Sequence, residues 1–175
     1  CEREIIVGSK ITEGDLIIGL ESSGLHSNGF SLARKILDIK KWGKEMLTPT
    51  KIYSNLILEL LGQVRINGLA HITGGAFSKL SRLGKVSNKG FLLDSFPAPK
   101  GIFKQIFNTI SNPLEAFKTF NMGIGFVVIS PPSEEQIIFD LSAKFKSKAF
   151  VIGKVINQRK VILKLDKKEF ELAKY

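Results

Sequence analysis

An apolar run, Leu16–Leu20, followed at once by a small polar loop and a helix-like segment, constrains the fold of this chain most strongly. The run carries no charge and is typical of a buried strand. The segment from about Gly29 to Ile39 repeats apolar residues at the spacing of one helical face. A strand, a loop and a helix in this order predict an α/β fold in which helices pack on a sheet.

The loop between strand and helix has the composition of an anion-binding site. The first amides of a helix lack partners within the helix, and the helix dipole adds about half a positive charge there. Glycines allow close backbone approach, and hydroxyl and amide side chains can donate hydrogen bonds. We therefore predict phosphate or substrate binding by Ser22, Ser23, Gly24, Ser27, Asn28 and Gly29. An ordinary turn, with Ser27 or Asn28 capping the helix, is the alternative that the loop leaves open.

The remaining elements follow from periodicity and from turn residues. Further helices are predicted at about 52–61, 76–83, 102–110 and 113–120, and after Pro131–Ser133 with Gln136 at the capping-box position; Trp42-Gly43 is expected to interrupt the helical pattern. Further strands are predicted at 3–7, 90–94, 123–130, 149–155 and 161–165, with Asn157–Arg159 as a hairpin turn. The segment from Glu169 to Tyr175 is charged, and its last residues are expected to fray. The sequence thus predicts a layered mixed sheet with packed helices, in one domain spanning residues 1–175.

Composition excludes several classes of protein. The chain has 175 residues, of which 43% are hydrophobic and 24% charged, as in ordinary globular domains. A single cysteine allows no internal disulfide, and no apolar run reaches the roughly 20 residues of a membrane helix. No secretory signal is visible in the sequence, which starts Cys-Glu-Arg-Glu, so we expect a cytoplasmic protein without a membrane partner.

The net charge of +10 raises the question of nucleic acid as a partner. The lysines are scattered, and the aromatic residues are mostly phenylalanines that do not alternate with the basic runs. A surface that stacks single-stranded bases needs that alternation, so nucleic-acid binding is not favoured. A site for phosphorylated metabolites accounts for part of the charge.

Five blocks in order then point to a family. Residues 22–35, Ser-Ser-Gly-Leu-His-Ser-Asn-Gly-Phe-Ser-Leu-Ala-Arg-Lys, resemble the start of the C-terminal domain of the phosphoribosylformylglycinamidine cyclo-ligase family, the 5-aminoimidazole ribonucleotide synthetases of purine biosynthesis. The further matching blocks are Thr48–Tyr53, Leu69–Gly75, Thr119–Gly125 and Val151–Gly153. The resemblance covers nearly the whole chain, and it implies an α/β layered domain. It also implies a preceding N-terminal domain, absent from this chain, that binds ATP and forms a homodimer.

The resemblance implies a reaction as well. In that family ATP phosphorylates the formyl oxygen of formylglycinamidine ribonucleotide, the amidine nitrogen attacks the same carbon, and phosphate leaves as the imidazole ring closes. ATP and Mg²⁺ are expected on the missing domain or on a separate chain that supplies it, with none on this chain, which should be inactive by itself. Alternatives are another superfamily member (selenophosphate synthetase, thiamine-monophosphate kinase, the hydrogenase-maturation dehydratase or formylglycinamidine synthetase) or a non-catalytic module that binds phosphate or nucleic acid.

His26 and His71 are the candidate catalytic residues. They are the only histidines, too few for a histidine-rich metal site, so no metal is predicted. Because the ordinary pKa of histidine is about 6.5, either could act as a general acid or base. Both fall inside matching blocks, although a capping or structural role is the alternative for each.

A second loop, Thr73-Gly74-Gly75, could also bring backbone amides to a phosphate. A tight turn is the alternative interpretation. The family's usual third glycine is Ala76 here, and Lys79–Arg82 replaces its usual Asn-Ile-Pro-Arg. This departure leaves the conformation of the loop open.

The remaining predicted contacts line the same cleft. Asn121 and Gly123 precede a strand and are assigned to substrate binding, as is Thr50, whereas Lys51 is expected to be solvated. Close packing of the glycines at 123 and 125 is the alternative. Motifs for binding and activating a nucleotide triphosphate, such as a P-loop, do not occur in the sequence.

Overall fold

The computed structural model describes residues 5–175, which form a seven-stranded mixed sheet covered by helices. The strands are Leu16–Glu21 (β1), Gly68–His71 (β2), Gly90–Leu93 (β3), Ile124–Ser130 (β4), Ala149–Ile156 (β5), Lys160–Leu165 (β6) and Lys168–Lys174 (β7). Their order is β2-β4-β1-β5-β3-β6-β7, and β3 with β6 is the parallel pair. This arrangement confirms the predicted layered α/β fold.

Helices cover both faces of the sheet. They are Phe30–Ile36 (α1), Ile39–Met46 (α2), Ser54–Gln63 (α3), Leu80–Ser87 (α4), Gly101–Thr109 (α5), Pro113–Thr119 (α6) and Glu135–Lys144 (α7), with short 3₁₀ turns at Ala76–Lys79 and Pro132–Glu134. Strand β1 divides its residues between two cores: Ile17 packs with α1, α2 and α4–α6, and Ile18 packs with α3 and α7. None of the helices in residues 5–175 combines the length and the apolar character needed to cross a membrane.

The strand directions bring distant loops together at one end of the strands. Strand β1 is antiparallel to β4 and β5, and β2 is antiparallel to β4. Glu21 at the end of β1 lies opposite Ile124, and His71 at the end of β2 lies opposite Phe126. The loops that follow β1 and β2 therefore emerge beside the loop that precedes β4.

The structure corrects two predictions in the first half of the chain. Of the strand predicted at 3–7, residues 3 and 4 lie outside the described residues, and residues 5–7 form no strand. The helix predicted from Gly29 to Ile39 is two helices, because the side chain of Asp38 accepts a hydrogen bond from the Lys40 amide at 2.9 Å and starts α2. Trp42 and Gly43 lie inside α2 instead of interrupting it.

Two predictions near the C-terminus are also wrong. Strands β5 and β6 do not form a hairpin, because β3 lies between them, antiparallel to β5 and parallel to β6. The last residues do not fray: they form the edge strand β7, where Leu172 is buried in the core. Gln136 makes no capping box, since α7 starts at Glu135 after a 3₁₀ turn and has no side-chain cap.

Candidate functional site

The loop of residues 22–29 follows β1, and hydrogen bonds hold its first half against the protein. The Ser22 amide donates to the Gly123 carbonyl at 2.8 Å, and the Ser23 amide donates to Nε2 of His26 at 3.3 Å. Leu25 and His26 are 1% and 3% exposed. The first half of the loop is therefore anchored to the protein, and two of its amides are already used.

Asn121 anchors this half of the loop from the other side. Its Nδ2 donates to the Gly24 carbonyl at 2.9 Å, and its Oδ1 accepts from Ser22 Oγ at 3.1 Å and from the Gly123 amide at 2.9 Å. The residue is 4% exposed. Direct substrate binding by Asn121 stays a prediction, while its observed bonds hold the ends of β1 and β4 together.

The second half of the loop leads into α1. The N-cap of this seven-residue helix is Gly29, with φ of 82° and no side-chain hydrogen bond, so the alternative of a cap by Ser27 or Asn28 is wrong. A Cβ at Gly29 would lie 2.4 Å from the ring of Phe120, which explains the glycine. Ser27 is exposed and Asn28 is partly exposed, so their side chains remain accessible.

The loop of residues 48–51 packs against both halves. Ser23 Oγ donates to the Pro49 carbonyl at 2.6 Å, and Thr50 Oγ1 lies 3.4 Å from Ser27 Oγ. Lys51 is not simply solvated, because its Nζ contacts Glu21 Oε1 at 3.3 Å and Ser147 Oγ at 3.0 Å. These contacts place Thr50 and Ser27 on one polar surface.

The two histidines meet in an aromatic cluster formed by His26, Tyr53, His71 and Phe126. The centroids of neighbouring rings in this cluster lie 5.3–6.2 Å apart. Tyr53 Oη donates to the Glu21 carbonyl at 2.8 Å, and burial followed by the Glu21 charge raises the pKa of this tyrosine. The structure thus brings together two histidines that are 45 positions apart in the sequence.

Gly125 makes this cluster possible. A Cβ at this position would lie 2.1 Å from Tyr53 Oη and 2.5 Å from Cε1 of His26. The close-packing interpretation of the glycines therefore holds at Gly125, where two side chains occupy the space of the missing methyl group.

Both histidines are neutral at pH 7, for related reasons. Burial, with smaller contributions from His71 and Lys51, lowers the pKa of His26 to about 4. Partial burial, with the nearby positive charge of Lys79, also lowers the pKa of His71. His71 is exposed at the end of β2, so of the two it is the histidine that a ligand can reach.

The loop of residues 73–76 is a tight turn, in which the Ala76 amide donates to the Thr73 carbonyl at 2.7 Å. Ala76 adopts φ of 41°, a left-handed conformation that the family's usual glycine would adopt without strain. The side chain of Asn28 packs on this turn, because a Cβ at Gly74 would lie 2.9 Å from Asn28 Oδ1. The two predicted phosphate loops therefore touch.

Lys79 lies next to the contact between these two loops, although the sequence interpretation did not select it. Its Nζ hydrogen-bonds Thr73 Oγ1. Within residues 5–175, no carboxylate forms an ion pair with Lys79, whereas Lys51 pairs with Glu21. Burial and the neighbouring Arg82 lower the pKa of Lys79. A replacement of the family's usual residue by lysine, next to a Gly-Gly turn, was the signal that could have identified it.

The remaining predicted residues lie on a separate groove of about 440 Å³. It is lined by Ser22, Ser23, Gly24 and Gly123 together with Glu21, Glu45, Pro97–Gly101, Phe103, Met122, Lys148 and Phe150. His71, Thr73 and the two glycines after it do not line this groove. The structure therefore divides the predicted site into two parts. One is this groove, and the other, called here the histidine–lysine surface, is formed by Asn28, His71, Thr73–Gly75 and Lys79. The buried His26 and Asn121 lie in the loops between them.

No group of three or more His, Cys, Asp or Glu side chains within residues 5–175 is arranged to hold a metal ion.

The sequence matches a known domain family along most of its length. The family of AIR synthase related proteins, C-terminal domain, matches residues 12–166. The chain is 48% identical over 166 residues to a phosphoribosylformylglycinamidine cyclo-ligase of Methanococcus maripaludis, covering 87% of this chain and 47% of the relative. It is 44% identical over 175 residues to the enzyme of that name from Methanocaldococcus jannaschii, covering 90% of this chain and 49% of the relative. The chain thus spans about half the length of these relatives.

Solved structures share the fold. The hydrogenase maturation protein HypE of E. coli matches with a TM-score of 0.70 at 16% identity, covering 98% of this chain and 53% of that one. PurL of T. maritima complexed with FGAR matches with a TM-score of 0.65 at 15% identity, covering 96% and 29%. The family match over residues 12–166 shows that the chain belongs to the AIR synthase related proteins, of which it forms the C-terminal domain.

Proposed function

We propose that this chain is the C-terminal half of an ATP-dependent phosphoribosylformylglycinamidine cyclo-ligase and binds the phosphorylated ribonucleotide substrate. The identity of 44–48% to relatives with that name supports this function over the other superfamily activities, for which the likeness is one of fold. The site observation that carries the proposal is the contact between the two predicted phosphate loops, beside Lys79, which has no carboxylate partner in residues 5–175.

The histidine–lysine surface supplies the groups that an anion requires. Lys79 provides a positive charge without a carboxylate partner among the described residues, and Thr73 provides a hydroxyl. Asn28 reaches the same corner from the other loop, because its Oδ1 lies against Gly74, and Ser27 contacts Thr50. Charge-assisted hydrogen bonds to phosphate are stronger than neutral ones, so such a corner favours a phosphate monoester over a neutral sugar.

The chemistry expected of this half is positioning. Ring closure requires the amidine nitrogen and the activated formyl carbon to be held at reacting distance. His71, neutral and exposed beside the phosphate corner, can accept the proton that the attacking nitrogen loses. The other half supplies ATP binding and Mg²⁺. The two halves belong either to one polypeptide or to two chains, in a cytoplasmic homodimer, and this chain is inactive by itself.

The test supplies the missing half. The N-terminal half of the Methanococcus maripaludis relative is mixed with this chain, and ATP-dependent conversion of formylglycinamidine ribonucleotide is followed by mass spectrometry as the loss of the elements of water. We expect conversion with both parts and none with either part. The C-terminal half of that relative serves as the matched control. Conversion with the control but not with this chain contradicts the proposal, as does conversion by this chain without a partner.

A further inference from the structure

His26 lies behind the proposed phosphate surface with only 3% of its surface exposed. Its Nε2 accepts hydrogen bonds from two amides of different loops, Ser23 at 3.3 Å and Lys51 at 3.5 Å. A ring nitrogen that accepts a hydrogen bond carries no proton, so the neutral ring has its proton on Nδ1. Nδ1 is buried and has no hydrogen-bond partner within residues 5–175.

We propose that His26 is a positioning residue and not a proton-transfer group: its neutral, Nδ1-protonated ring clamps the loop of residues 22–29 to the loop of residues 48–51. The proposal rests on the proposed function only in assigning these loops to the substrate-binding surface. It leaves His71 as the histidine that exchanges protons with a ligand.

The charges around the ring support this role. Lys51 and His71 both act against protonation of His26. The Tyr53 hydroxyl is committed to the Glu21 carbonyl, and the Glu21 carboxylate is paired with Lys51. A protonated His26 would lose its acceptor for two amides and would place a buried positive charge next to Lys51. The described carboxylate nearby, Glu21, is already paired with Lys51.

The packing around the ring confines it to this orientation. Cε1 of His26 fills the space that a Cβ at Gly125 would occupy, and the ring meets Tyr53 and His71 edge to face. The backbone of His26 has φ of 58°, an uncommon conformation for a histidine that the surrounding contacts must maintain. A proton donor or acceptor in catalysis needs access to the reacting atoms, which this position does not give.

The first test measures the ring directly and needs no substrate. Long-range ¹H–¹⁵N spectra of the full chain labelled at histidine give the tautomer and the pKa of each ring. Because the chain has two histidines, the variant His71→Asn leaves only the signals of His26. We expect an unprotonated Nε2 and a protonated Nδ1 from about pH 8 to about pH 6, with titration near pH 4. The opposite tautomer, or titration near the ordinary pKa of about 6.5, overturns the proposal.

The second test separates positioning from proton transfer in the mixture with the N-terminal half. Glutamine can present an acceptor oxygen near the position of Nε2, whereas leucine cannot. We expect His26→Gln to keep kcat within a few fold and to raise KM, and His26→Leu to lose binding. If His26 transfers protons, both variants lose roughly 10²-fold or more in kcat, as we expect for His71→Asn. If the mixture shows no turnover, the proposed function fails, while the spectra still decide the role of His26.

Discussion

The two halves of the loop of residues 22–29 have similar compositions and opposite surroundings. In the first half, Ser22, Ser23 and Gly24 make hydrogen bonds to Asn121, Gly123, His26 and Pro49. In the second half, the side chains of Ser27 and Asn28 reach the surface near Thr50 and Gly74. Serine and glycine content therefore does not distinguish a loop that binds a ligand from one that anchors a strand. The difference is whether the donors already have partners inside the protein.

The two histidines repeat this contrast. His26 is buried, with its Nε2 engaged by two amides, and His71 lies at the exposed end of β2. Both pKa values are lowered, chiefly by burial. A lowered pKa alone would assign both residues the same role, and only their access to solvent separates them.

The largest effect on stability should come from filling the space that Gly125 leaves for Tyr53 and His26. Gly125→Ala should lower the free energy of unfolding by about 3 kcal/mol, because the new Cβ overlaps Tyr53 and His26. Denaturant unfolding measures this change. The control is Gly62→Ala in α3, where nothing lies within 4 Å of the new Cβ and stability should stay equal or rise. Equal effects at both sites would show that the cluster is not tightly packed.

The next effect is the pH dependence of stability that comes from His26. The folded pKa of about 4 lies below the unfolded value of about 6.5, so the unfolded state binds the proton more tightly. This contribution is complete above about pH 6.5 and is lost as the pH falls toward 4, by about 2 to 3 kcal/mol. The measurement is the difference between the original chain and His26→Gln across that range. A difference that does not change with pH would contradict the buried, neutral state.

The loss of stability should be smaller when the hydrogen bonds of Asn121 to the first half of the loop are removed. Asn121→Ala deletes three hydrogen bonds to Ser22, Gly24 and Gly123 and should cost about 2 kcal/mol of stability. Denaturant unfolding measures the loss, and Asn55→Ala, at an exposed position of α3, is the matched control with little change. A loss of phosphate affinity without a loss of stability would instead indicate direct ligand binding by Asn121.

The smallest effect concerns Lys79, which lies on the turn that the second half of the loop contacts. Lys79→Gln should weaken binding of inorganic phosphate or ribose 5-phosphate about tenfold, because one charge-assisted contact is lost. Chemical-shift titration of the full chain measures the affinity. Lys85→Gln removes a charge from the exposed surface of α4 and should leave the affinity nearly unchanged. Equal weakening by both variants would mean that only the overall charge matters.

Residues close in sequence account for the correct predictions. The strand before residue 22, the helix begun by Asn112-Pro113 and the strand β4 follow from periodicity and capping. Lys79 escaped the interpretation of the sequence because its contact with Thr73, and the absence of a carboxylate partner within residues 5–175, appear only in the structure. The anchoring of residues 22–26 escaped it because one partner, Asn121, is 99 positions from Ser22.

The local sequence was sufficient for the fold class, the positions of most elements and the family blocks that carry the resemblance, because periodicity, caps and turns act over a few residues. The strand order was not accessible in this way: β3 lies between β5 and β6, and Lys168–Lys174 form an edge strand. The local sequence also did not separate the polar residues that anchor the loops from those that are exposed. Both depend on contacts between segments far apart in the chain, where burial and pairing determine which strand edge is covered and which hydrogen-bond donors remain free.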